Sequence, residues 1–290
     1  MSKKKEYQFK SLSASLRARS VLIYSVVILL AILSIFPFYY MFMNSTWNNF
    51  DIMRQLRLYP GSLKQLATNI GKLSGRTEFS FPIGFKNSFI ISTAATALSV
   101  YFSALTAYGI KVYNFKLRNA AFLFIMIVLM IPPQVSITGF VKLMTTMNLV
   151  GTKWPLIIPA IAAPATVFFI KQYLDSALSI EIIEASRIDG ANELYTFNRI
   201  CLPIMVPALA TMAIFGFIAS WNNYFTPALI LSEMKDKTLP LMVAQLFGDR
   251  FTDYGQIYTG LSMAVLPLII VFAVLQKYII QGVSAGSVKE

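Results

Sequence analysis

The sequence predicts an all-α polytopic membrane protein with six transmembrane helices and a short polar helix-turn-helix between the fourth and fifth. Three observations carry that expectation. Hydrophobic residues make up 56% of the 290-residue chain and charged residues only 13%, whereas about a quarter of a soluble domain is charged. Six uncharged runs of 17 to 31 residues follow one another, against the roughly 20 that cross a hydrocarbon core. The segments between them hold the charge.

Residues 1–19 are polar and basic, with Lys3, Lys4, Lys5, Lys10, Arg17 and Arg19. The run Ser20–Phe50 carries no charge and outlasts the roughly 7–15 apolar residues of a signal peptide, so a retained first span is expected. The tripeptide Asn44-Ser45-Thr46 matches a glycosylation acceptor, but it lies too close to the membrane to serve as one. Asp51 to Lys86 is mixed and polar, reads as a long external loop, and has room for small helices. Gly71-Lys72 is followed by Leu73 and lacks the upstream glycine, so this is no P-loop, and nucleotide energy has to come from another subunit.

Asn87 to Ile110 is the second run, rich in Ser, Thr and Ala; small side chains let helices approach closely, so this span should face protein. The third, Asn119 to Val141, contains Pro132-Pro133, which should kink or end its helix. Trp154 to Ile170, distorted by Pro155, Pro159 and Pro164, is the fourth; Ile204 to Leu231 is the fifth and Tyr254 to Gln276 the sixth. Basic residues in short loops set orientation. The N-terminal cluster with Lys111, Lys116 and Arg118 outweighs Lys142 and Lys153, which puts both chain ends and the segment between spans four and five in the cytoplasm.

That segment, Glu181 to Pro203, is the polar centre of the chain. Helical spacing gives Ile182, Ile183, Ile188 and Ala191 one apolar side and leaves Glu181, Glu184, Arg187 and Asn198 to water or a partner. Gly190 interrupts the helix, so two short helices should meet at Asp189-Gly190. Pro203 favours a boundary before the next span, because the residue ahead of a proline is biased away from the helical region.

The spacing Glu184-Ala185-Ser186, Gly190 and Ile200-Cys201-Leu202-Pro203 resembles the EAA loop of permease subunits of binding-protein-dependent ABC importers, with Ser186 in place of the second alanine. Ser179 stands where many relatives carry proline. The last residues, from Gln276 through Gly282, Ala285, Gly286 and Lys289, are similar to the C-terminus of the maltose-type carbohydrate uptake permeases.

The resemblance implies a six-span transmembrane domain over 20–280, with an external loop at about 51–86, a coupling loop at about 181–203 and a cytoplasmic tail at 281–290. It implies that Glu184, Ala185, Ser186, Asp189, Gly190, Ile200, Leu202 and Pro203 dock on an ATPase. Glu184 would meet a basic group, Gly190 make the turn, and Leu202-Pro203 set the angle back into the membrane. Gly282, Ala285, Gly286 and Lys289 would be a further ATPase contact. The implied partners are a second permease in a heterodimer, two ATP-binding cassette subunits that hold the ATP and Mg, an extracytoplasmic solute-binding protein, membrane lipid and a sugar, by alternating access. The chain itself is expected to hold no cofactor, and no residue is assigned to the sugar. Tyr101, Tyr108, Trp221 and Tyr224 could stack on one, but packing or interfacial anchoring is the commoner use.

Other functions fit less well. The net charge of +12 lies at the chain ends and in loops and forms no basic face on a soluble module, which argues against nucleic acid. With no histidine and one cysteine, Cys201, the usual zinc sites, histidine acid-base chemistry and an intrachain disulfide are excluded. No span has an ionisable residue near its middle, where ion-driven carriers place them. An intramembrane hydrolase using Glu181 and Glu184 would lack a histidine partner, and its carboxylates would sit in water. The same architecture importing peptides or amino acids stays open, with the Gly282–Gly286 tail favouring sugars.

Overall fold

The computed structural model describes residues 3–248 and 252–287, with side chains over 19–248 and 252–273. Among them the secondary structure is helical throughout, with no strand. Five helices are long and apolar enough to cross a membrane, and a sixth is if one bent pair counts as a single span.

The chain divides into two compact units, Met1–Leu73 with Asp253–Ser262, and Ser74–Thr252 with Met263–Glu290. The first unit holds α1 (Lys3–Asn44), α2 (Asn49–Arg54) and nearly all of α3 (Leu63–Ser74). Helix α1 runs unbroken from the basic segment into the first span, although a separate N-terminal segment is expected from the sequence. Asn48 caps α2 by accepting the Asp51 N–H at 2.9 Å, as a side-chain oxygen before a helix should. Buried Asn69 fixes the chain after α1 by donating to the Ser45 and Trp47 carbonyls at 2.8 and 2.9 Å. The expected external loop over 51–86 is therefore largely helical, and its last residues already belong to the next span.

The second unit begins with α4 (Phe81–Val112), six residues earlier than the charge pattern suggests, because Lys86 is carried within the helix. Pro82 sits in its first turn, where a missing N–H costs nothing. Helices α5 (Arg118–Leu129) and α6 (Pro133–Thr146) meet at 95°, the break that Pro132-Pro133 dictates. Helix α7 (Trp154–Ile157) passes through one 3-10 turn, Ile158–Ile161, before α8 (Pro164–Ala177). After α9 (Ile180–Ile188), α10 (Glu193–Tyr195) runs through a π-helical stretch, Thr196–Cys201, into α11 (Leu202–Asn222). Then come α12 (Phe225–Ile230), α13 (Leu239–Gln245) and α14 (Tyr254–Ser287), the last beginning in the first unit.

Helices α4, α8 and α11 form the centre of this second unit. The small residues of α4 do what the sequence suggests: Ala95, Ser103, Ala104 and Ala107 are buried in protein. Trp221 is 1% exposed and donates its indole N–H to the Ala264 carbonyl at 3.2 Å, tying α11 to α14. Its use, like that of buried Tyr108, is packing; Tyr101 and Tyr224 stay partly exposed.

The expected boundary falls at Leu202, where α11 begins with Pro203 in its first turn, but the chain stays helical across it. The π-helical stretch just before it widens the turn where the proline ring would otherwise crowd the carbonyl four residues back. The chain thus enters the span without a corner.

Candidate coupling knob

Helix α9 and the α10–π segment form a helix-turn-helix knob whose turn follows from one residue. At the end of α9 the Ala191 N–H donates to the Ser186 carbonyl at 3.0 Å and the Gly190 N–H to the Arg187 carbonyl at 3.1 Å. This is the Schellman pattern, which needs a left-handed residue between them. Gly190 supplies it with φ +80°. A Cβ there would meet nothing within 4 Å, so glycine is required for its backbone and not for space. Asn192 then caps the second helix, accepting the Tyr195 N–H at 2.8 Å.

Of the four residues expected on the apolar side, Ile183 alone is buried, at 0% exposure. Ile188 is 85% exposed and Ile182 41%. The two helices are held instead by Ile183, Phe197 and Cys201, which pack with Tyr108, Ile170, Leu174, Leu178 and Met205. Phe197 lies on Tyr108 with ring centroids 5.3 Å apart. The knob is thus continuous with the core of α4, α8 and α11 at one end of the bundle.

The eight residues expected to couple fall into three groups by exposure. Glu184, Ala185, Asp189, Gly190 and Pro203 are exposed, and Glu184 makes no ion pair among the described residues. Ser186 is 5% exposed and turned inward. Its hydroxyl donates to the Ile183 carbonyl at 2.8 Å and shares a 3.1 Å hydrogen bond with the buried Thr196 hydroxyl, joining the two helices. Ile200 and Leu202 are half-buried. Leu194 and Tyr195, 68% and 55% exposed, add apolar surface on the second helix. The exposed residues of the knob therefore include an acid, Glu184, and several apolar side chains. Of the tail residues, Gly282, Ala285 and Gly286 fall on the α14 backbone, and Lys289 lies outside the described residues.

Glu193 was not singled out by sequence reasoning, yet the knob and the span α4 meet on it. Tyr113 donates its hydroxyl to Oε2 at 2.6 Å and Tyr108 to the same oxygen at 3.1 Å. Arg187 reaches Oε1 with Nε and Nη2, both at 2.9 Å, and stands 5.7 Å from the Tyr113 ring centre. Burial and the Glu193 hydrogen bond push the Tyr113 hydroxyl above its ordinary range. Arg187, expected to be left to water or a partner, is exposed and pairs with Glu193 within the knob. Alongside, Lys111 at the end of α4 and Lys171 on α8 both pair with Asp175, at 3.5 and 2.5 Å.

Apolar helices of span length that end in a polar knob define an integral membrane protein. A family described as binding-protein-dependent transport system inner membrane component matches residues 99–285, and the chain belongs to that family. The arabinooligosaccharides transport system permease protein AraQ of Halalkalibacterium halodurans is 40% identical over 205 residues, 71% of this chain and 73% of the relative. The lactose transport system permease protein LacG of Rhizobium radiobacter is 31% identical over 273 residues, 94% of this chain and 97% of that one. A solved bacterial ABC transporter involved in the import of the acidic polysaccharide alginate matches with TM-score 0.76 at 20% identity, over 91% of this chain and 97% of that chain, and shares the fold. The chain is a transport component, not an enzyme, and works in the inner membrane with ATPase and solute-binding partners.

Proposed function

We propose that the chain is one of two different permease subunits of an ATP-driven oligosaccharide importer, and that the 184–203 knob is where force enters. The exposed residues of the knob carry this reading: Glu184, which makes no ion pair among the described residues, and the apolar Ile182, Ile188 and Leu194, on helices locked to the core of the spans. An acid within apolar surface suits a cleft with a basic group at its edge. Two ATPase subunits hold the ATP and Mg, this chain holds no cofactor, and both chain ends face the cytoplasm. ATP-driven closure of the ATPases moves the knobs, and the span bundle alternates between inward- and outward-facing states while a loaded binding protein waits outside. Such coupling requires a contact that biases both states. The tail around Gly282, Ala285, Gly286 and Lys289 adds a second ATPase contact.

The sugar assignment rests on the names of the relatives and on the tail. Deleting the chain should abolish uptake of a radiolabelled neutral oligosaccharide by whole cells, and restoring it should recover uptake. Unchanged saccharide uptake, with loss of sn-glycerol 3-phosphate or peptide uptake instead, would refute the substrate class while sparing the permease assignment.

A further inference from the structure

The loop from α4 to α5 carries cations and no acid. Residues 113–117 join the two helices, with Lys111 in the last turn of α4 and Arg118 opening α5. Between Glu78 and Asp175 the sequence contains no Asp or Glu. Asn114, Phe115, Lys116, Arg118 and Asn119 line an open recess of about 450 Å³ on this loop. Two cations and two amides around one recess form a concave set of hydrogen-bond donors with positive charge, which is what a phosphate accepts.

The acids that touch this end of α4 are already engaged. Asp175 pairs with Lys111 at 3.5 Å and with Lys171 at 2.5 Å, and Glu193 holds Arg187 and Tyr113. Among the described residues Lys116 makes no ion pair, and Arg118 donates only to the Lys111 carbonyl, at 3.4 Å. That contact uses one of the five guanidinium donors and neutralises none of the charge. Phe115 and Leu117, 42% and 69% exposed, alternate along the chain with the two cations. Helix α5 continues from Arg118 as an uncharged run that buries none of its residues, so the recess opens at the edge of an apolar surface. A free phosphate ion would leave Phe115 and Leu117 in water. A lipid serves both kinds of side chain, because apolar groups sit at the acyl boundary while Lys and Arg reach up to the headgroups.

We propose that this loop binds the phosphate of an anionic phospholipid headgroup, with Lys116 and Arg118 as the cations and Asn114 and Asn119 as hydrogen-bond donors. A zwitterionic lipid presents the same phosphate but brings a cation of its own, which two unpaired positive side chains repel. The cytoplasmic leaflet, with its negative surface potential, faces the loop in the orientation of the proposed importer, and the inference rests on that orientation.

The assembled transporter, with p-benzoylphenylalanine in place of Leu117, can be irradiated in nanodiscs that contain equal amounts of phosphatidylglycerol and phosphatidylcholine with matched acyl chains. Mass spectrometry then identifies what has become joined to the chain. Phosphatidylglycerol adducts should exceed phosphatidylcholine adducts at least fivefold, roughly what one cation at an anionic membrane surface gives. In the double variant Lys116→Gln, Arg118→Gln the two lipids should attach equally within twofold. Where that variant fails to assemble, Lys116→Gln alone, at an exposed side chain without an ion pair among the described residues, should at least halve the preference. Excess inorganic phosphate should leave the preference unchanged; its loss would assign the site to the free ion and overturn the lipid. Equal attachment in the unaltered loop, a preference that the variants keep, or attachment to the ATPase in place of lipid would overturn the headgroup site. Orientation is read separately, since a membrane-impermeant maleimide should label Asn114→Cys in inverted vesicles only. Labelling from the outside would refute the proposed orientation, while nanodiscs, whose two leaflets are alike, still decide whether the loop selects an anionic lipid.

Discussion

Replacing Glu193 by alanine should loosen the knob from its span by an amount the geometry allows to be worked out. The carboxylate accepts one hydrogen bond each from Tyr108 and Tyr113 and an ion pair from Arg187. The ion pair is 40% and 45% exposed at its two side chains, so solvent screening limits it to about 0–1 kcal/mol. Tyr108 is 2% exposed, and its orphaned hydroxyl adds about 1–3 kcal/mol. A total near 2–3 kcal/mol corresponds to a roughly 30- to 150-fold greater population of the opened knob. Cys201 reports it directly: it is the one cysteine of the chain and is fully buried beneath the knob. Its labelling by a maleimide under native conditions should accelerate by that factor in Glu193→Ala. Adding Tyr108→Phe removes the orphan and should return most of the protection. Labelling within twofold of the unaltered protein in Glu193→Ala would refute the reasoning.

Gly190→Ala should cost the knob about 1–2 kcal/mol through the positive φ alone, without a steric clash, and should likewise speed Cys201 labelling. Phe197→Ala empties a site 1% exposed and should cost about 3–5 kcal/mol, seen as a lower unfolding temperature of the detergent-solubilised complex. Ser186→Val should lower stability by about 1–2 kcal/mol because it strands the Thr196 hydroxyl, yet leave ATPase pull-down intact because Ser186 faces inward. Removing residues 284–290 should weaken ATPase association; transport and coupling that survive the deletion would retire the tail contact.

The spans were legible in the sequence because membrane burial writes itself as long uncharged runs, and the third break because Pro132-Pro133 admits little else. The turn at Gly190 was legible for a similar local reason. What failed depended on neighbours distant in the chain. Phe81 to Lys86 joined the span because α4 continues past its lysine, and the π-helical stretch ahead of Pro203 keeps the chain helical where α11 begins. The Ser186 hydrogen bond to Thr196 also went unread, since it joins residues on the two sides of the turn. Glu193 gave no signal, since Tyr108 and Tyr113 lie 85 and 80 residues before it and nothing in their spacing announces the meeting.

The central claim is that force reaches the spans through the exposed acid of the knob. Proteoliposomes containing the complete transporter and its binding protein allow solute imported and ATP hydrolysed to be counted together. Glu184→Lys should leave the subunit inserted and ATP hydrolysis measurable, while imported saccharide per ATP falls by at least tenfold. A ratio unchanged from that of the unaltered transporter would contradict the account.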